Sequence, residues 1–162
     1  MKRNKHIYTF LVVILGILFS QGTSFRDDIE FVEYTISDSA YGAKSVYLAD
    51  VDGDGNMDVL SASGTSIGTI DKIAWYENDG NENFTEYTIS DSASDTRSVH
   101  AVDVDGDGNM DVLSASFGDD KIAWYKNDGN ENFTEYIIST NIPKPVSIFA
   151  EDLDGDGDID VL

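Results

Sequence analysis

Three stretches of the chain carry acidic side chains on alternate residues. Counted from the first aspartate of each, positions 1, 3, 5 and 9 are Asp50, Asp52, Asp54 and Asp58 in the first stretch. They are Asp103, Asp105, Asp107 and Asp111 in the second, and Asp152, Asp154, Asp156 and Asp160 in the third. Position 7 (Asn56, Asn109, Asp158) offers a backbone carbonyl, and position 6 is Gly55, Gly108 or Gly157, where the chain must turn sharply. Carboxylates on alternate residues of a curling loop converge on one point and repel strongly unless a cation sits among them. An all-oxygen donor set of this size suits Ca²⁺, which takes about six to eight hard ligands. Mg²⁺ prefers fewer protein ligands, and Zn²⁺ calls for His or Cys, of which the chain has 2 and 0. Solvated acidic turns would account for one such loop, but less well for three with the same spacing.

The elements that position these loops repeat with them. Asp50–Leu60 recurs without change as Asp103–Leu113, and again as DLDGDGDIDVL over Asp152–Leu162. Downstream, KIAWYENDGNENFTEYTIS (Lys72–Ser90) returns as KIAWYKNDGNENFTEYIIS (Lys121–Ser139), and the first copy holds a short insertion after Ser63. A repeat of about 50 residues indicates a stacked or circular array. Each unit reads as four short strands, and no sustained helical period follows residue 22. The first strand is Ser45–Ala49, Ser98–Val102 or Val146–Ala150; the second starts at Met57 or Met110. The third covers Lys72–Glu77 or Lys121–Lys126, and the fourth Phe84–Ile89 or Phe133–Ile138, with an extra fourth-type strand expected at Phe31–Ile36. The expected fold is all-β, with β-propeller blades of four antiparallel strands. About two and a half blades are present, so an incomplete propeller or a fragment of a longer chain is expected.

Composition narrows the partners. The chain has 162 residues, 10 Lys+Arg, 31 Asp+Glu and a net charge of -21, which disfavours nucleic acid and anionic membrane surfaces. Without cysteine, disulfides, thiolate catalysis and Cys-ligated metals are excluded. Residues 1–22 have the layout of a secretory signal peptide: Lys2, Arg3 and Lys5, an apolar run from Ile7 to Phe19, then Ser20 and Gly22. That run is short for a membrane span, which needs about 20 residues, and an uncleaved anchor is the alternative. The expectation is a secreted or cell-surface protein with no membrane span in the mature chain, residues 25–162 forming the repeats.

The DxDGDGxxDxL loop followed by WYxNDGxxxF resembles the FG-GAP or VCBS-type repeat of bacterial surface and secreted propellers; integrin α-subunit head propellers carry a related loop. The similarity spans roughly Phe31 to Leu162. The resemblance implies a calcium-binding loop between the first two strands of each blade, with the four aspartates and the position-7 carbonyl as ligands. It further implies a non-enzymatic scaffold for an extracellular protein or glycan; a propeller within a secreted carbohydrate-active enzyme, or a lectin, is the alternative. An EF-hand is disfavoured because position 12 is Ser61 or Ser114 rather than Glu, and the flanks are strand-like. The GDG triplets lack the Lys-Ser/Thr of a phosphate loop. Asn83 and Asn132 head glycosylation sequons. Trp75 and Trp124 are expected to pack between blades rather than to hold sugar, and His100 to be a packed or edge histidine.

Overall fold

The computed structural model describes residues 4–8, 30–64 and 71–162. The insertion after Ser63 and the apolar run of the leader lie largely outside them. The chain divides into two units, Met1–Asp38 and Ser39–Leu162. In the first, β1 (Asn4–Tyr8) pairs in parallel with β2 (Glu30–Tyr34), Asn4 opposite Glu30. The expected fourth-type strand at Phe31–Ile36 is thus a strand, but its ladder partner is a parallel segment rather than an antiparallel blade. A lone strand leaves a row of N–H and C=O groups unpaired, and β1 supplies that row's partners.

The second unit is built from antiparallel meanders. Strands β3 (Ala43–Ala49), β4 (Asp58–Ser63), β5 (Lys72–Asn78) and β6 (Phe84–Ser90) pair in sequence order. Strands β7 (Thr96–Val102), β8 (Asp111–Ser116), β9 (Lys121–Asn127) and β10 (Phe133–Ser139) repeat that order. A two-stranded sheet, β11 (Ala150–Glu151) with β12 (Asp160–Val161), follows. The two four-stranded sheets match to the register: Ala49 opposes Asp58 and Val102 opposes Asp111, each with a shift near the start of the first strand.

Each acidic loop therefore joins the first two strands of a sheet, and its last aspartate is the first residue of the second strand. The sequence placed that start at Met57 or Met110. It falls one residue later because the Met57 and Met110 carbonyls accept Asn78 and Asn127 side-chain N–H groups instead of ladder bonds. In the third copy, Val146–Ala150 was expected as the first strand, yet the ladder begins at Phe149, which exchanges both backbone bonds with Leu162. In the register of the other two copies, Ile148 and the residues before it would oppose positions beyond Leu162.

Strands β4 and β8 are buried along their whole length, as central strands covered on both faces must be. Period-two alternation sends neighbouring residues to opposite layers. Val112 packs with Leu60, Trp75 and Tyr125 between the four-stranded sheets, whereas Leu113 packs with Ile122, Ile148 and Ala150 on the other side. Trp75 is fully buried and stacks on Tyr87 at 4.8 Å, as expected for a residue packed between blades. Its counterpart Trp124 stacks on Tyr136 at 4.9 Å and is partly exposed.

Polar contacts tie the sheets along their inner strands. Val99 N–H donates to Ser45 Oγ and Ile148 N–H to Ser98 Oγ, the same bond one sheet further on. Asp95, buried before β7, pairs with Lys44 of β3 and with Arg97 at 2.7 Å. His100 is buried between Tyr47 and Phe149, with ring centroids 4.6 and 5.0 Å away. Burial pushes its imidazole below the usual histidine range, against an opposing hydrogen bond to Ala150 and the charge of Glu151 on β11. The unfolded chain then binds the His100 proton at higher pH than the folded chain, so stability falls as pH drops through about 6.5. His100→Tyr, which installs the residue found at position 47, should flatten the difference in unfolding free energy between pH 7.5 and 5.5 relative to wild type. Parallel slopes in urea titrations would refute this account.

Candidate metal centres in the strand-connecting loops

Each loop is first closed by its own aspartates. Asp50 caps the first turn, Oδ1 accepting Gly53 N–H at 2.9 Å and Oδ2 accepting Gly55 N–H at 3.0 Å. Asp103 accepts from Asp107 and Gly108, and Asp152 from Gly155, Asp156 and Gly157. Gly55, Gly108 and Gly157 sit at φ of 91°, 92° and 96°, with open space where a Cβ would project. Glycine is required there by backbone conformation rather than by crowding.

Position 9 works differently. Asp58 is fully buried, and its two oxygens accept backbone N–H groups from two directions: Val51 in the loop at 3.0 Å and Asn78 at the end of β5 at 2.8 Å. Asp111 repeats this with Val104 at 3.1 Å and Asn127 at 2.8 Å. Asp160 accepts Leu153 N–H at 3.1 Å, the counterpart of the Val51 bond. Burial raises the pKa of Asp58 and Asp111 despite these donors, with the Trp75 and Trp124 indoles also acting to lower it. Asp52 is raised too, by burial first, with the charges of Asp58, Asp54 and Glu77 adding to it against the Asp54 N–H bond. Holding several ionised carboxylates together is therefore unfavourable in the protein alone.

The sequence did not single out the clamp behind the loop. Asn78 N–H bonds Asp58, its side-chain amide donates to the Met57 carbonyl, and its Oδ1 accepts Gly80 N–H. Gly80, at φ of 75°, lies so close to Asn56 that a Cβ would stand 2.8 Å from Asn56 Oδ1; Gly129 has the same relation to Asn109. Asn127 also donates to the Val51 carbonyl of the preceding loop, at 3.2 Å. The Asn-Asp-Gly triplet after each Trp-Tyr pair reads as a turn in sequence. Its exact recurrence at a fixed distance from the acidic loop was the available sign that the two pack together.

Of the fifteen residues predicted as ligands, the structure brings together positions 1, 3 and 9. Asp50, Asp52 and Asp58 each present an oxygen, all within 4.8 Å of one another; so do Asp103, Asp105 and Asp111, and Asp152, Asp154 and Asp160. Asp54, Asp107 and Asp156 at position 5 lie outside these groupings and accept the backbone N–H of position 7 at 2.7 to 3.0 Å. Asn56 and Asn109 direct their side-chain amides to those same position-5 carboxylates. The donor set in each cluster is wholly carboxylate oxygen, which fits a hard divalent cation.

A family model for the FG-GAP-like repeat matches residues 62–114 and 103–162, the first running one residue past the second acidic-loop repeat and the second ending with the third. Among curated proteins no relative matches the chain. Four-stranded antiparallel meanders in tandem, with the acidic loop at the same place in each, are the blades of that repeat. The chain belongs to the FG-GAP-like repeat family of propeller-type proteins.

Proposed function

We propose that the chain is an exported calcium-binding propeller module that acts as a non-enzymatic scaffold for an extracellular protein or glycan. The observation that carries the calcium reading is the threefold convergence of positions 1, 3 and 9 to within 4.8 Å. The ion's part is structural: it neutralises carboxylates that the fold has partly desolvated and fixes the loop between two strands. Export is supported by the leader-like composition of residues 1–22, whose removal takes three positive charges from an already acidic chain. Among the described residues no helix is long and apolar enough to cross a membrane. The partly exposed Trp124–Tyr136 stack gives the glycan reading its specific support.

Isothermal titration with CaCl₂ tests the central claim. Wild type should bind calcium with a stoichiometry that falls by about one ion in Asp52→Ala and by another about one in Asp105→Ala. An unaltered stoichiometry in both variants, or no binding by wild type, would overturn it. Loss of glycan-array binding in Trp124→Ala would favour the lectin form of the scaffold over a protein partner.

A further inference from the structure

The first two loops form a natural controlled comparison. Asp50–Leu60 and Asp103–Leu113 are identical, and the segments behind them, Lys72–Tyr87 and Lys121–Tyr136, differ at one position: Glu77 against Lys126. Glu77 is held by the Tyr87 hydroxyl at 2.9 Å, and among the described residues no Lys or Arg pairs with Asp52 or Asp54. Lys126, on the matching strand, places its ammonium on Asp105 and within 3.1 Å of Asp107 Oδ2. The loop adapts to it. In the first copy Asn56 engages both oxygens of Asp54; in the second Asn109 donates twice to Asp107 Oδ1, leaving Oδ2 to the ammonium.

We propose that Lys126 is a tethered counter-ion that competes with calcium for the second loop, whereas Glu77 strengthens the first, so that identical loop sequences fill in a fixed order. This rests on the calcium reading above. A divalent ion entering the second loop must displace the ammonium from Asp105, a position-3 carboxylate. The side chains of Lys126 and Asp105 are each 31% exposed, so each displaced ion pair weakens binding by up to about fivefold. Breaking the Asp105 pair alone thus weakens the second loop by up to about fivefold, and the charge difference of two between Lys126 and Glu77 adds to that. The tether has a function of its own: it limits carboxylate repulsion in the second loop when calcium is scarce.

Calcium titration of the full chain at fixed ionic strength, in an Asp52→Ala/Asp154→Ala background that silences the first and third loops, provides the test. There Lys126→Gln should tighten the second-loop step by up to about fivefold, and Lys126→Glu by more. Glu77→Lys, in an Asp105→Ala/Asp154→Ala background, should weaken the first-loop step comparably. Both positions are half-buried and next to last in their strands, and circular dichroism without calcium reports whether the variants fold. In calcium-free buffer Lys126→Glu should also lower the melting temperature more than Lys126→Gln, a readout independent of binding. Calcium binding with second-loop affinity unchanged by Lys126→Glu overturns the inference and leaves the calcium reading standing. Absence of binding by wild type overturns both.

Discussion

Asp58→Ala should lower the unfolding free energy by about 2–5 kcal/mol in calcium-free buffer, whereas Asp54→Ala should cost about 1 kcal/mol or less. The contrast follows from what each carboxylate satisfies. Asp58 is the fully buried acceptor for two backbone N–H groups, Val51 in the loop at 3.0 Å and Asn78 at the end of β5 at 2.8 Å. Truncation leaves both donors without that acceptor in the interior, and each buried unsatisfied donor costs about 1–3 kcal/mol. Part of this is returned because a desolvated charge is also removed. Asp54 is exposed, and its partners are the N–H and amide of Asn56, groups that water can reach. Asp111→Ala should behave like Asp58→Ala, since Val104 and Asn127 repeat the arrangement. Chelator in the urea titration keeps a lost ion from contributing to the reading. Equal losses for Asp58→Ala and Asp54→Ala would show that position 9 has no clasping role.

This division of labour among the aspartates is where sequence and structure part. Alternating acidic residues announce convergence, and the repeats, strand types and order all follow from apolar alternation and turn residues. Residue type alone could not distinguish Asp50, which caps its loop, from Asp58, which buries and bridges two strands, or from Asp54, which turns away to Asn56. Those roles depend on which N–H groups the folded chain aims at each carboxylate, and Asn78 arrives from twenty residues downstream. The same limit hid the Gly80–Asn56 contact, because a glycine needed for close approach looks like one needed for a turn. The one-residue delay of β4 has a similar origin: the Met57 carbonyl is claimed by a side chain rather than by the ladder. Local patterning specified the strands; long-range hydrogen bonds specified the site.

Calcium should raise the melting temperature, and EGTA should lower it, by the largest margin of any change in solution conditions near neutral pH. The fold brings three carboxylate oxygens to within 4.8 Å in each cluster, and burial already disfavours the charged form of Asp52, Asp58 and Asp111. A divalent ion reverses that penalty only in the folded state, where the ligands are held together; the unfolded chain separates them. Binding confined to the native state stabilises by RT ln(1 + [L]/Kd), about 2.7 kcal/mol per loop at a hundredfold excess of free calcium over Kd. For a domain of this size that corresponds to about 5–10 °C for each loop filled. Magnesium should give a smaller shift at equal concentration, because it keeps its waters and demands tighter octahedral geometry. Combining Asp52→Ala, Asp105→Ala and Asp154→Ala should abolish the calcium-dependent shift while leaving the buried Asp58 and Asp111 clasps in place, which separates loss of the ion from loss of the fold. Differential scanning calorimetry in EGTA and in millimolar calcium decides the matter: coincident transitions for wild type would mean that the carboxylates converge for the sake of the loop's own backbone, with no ion among them.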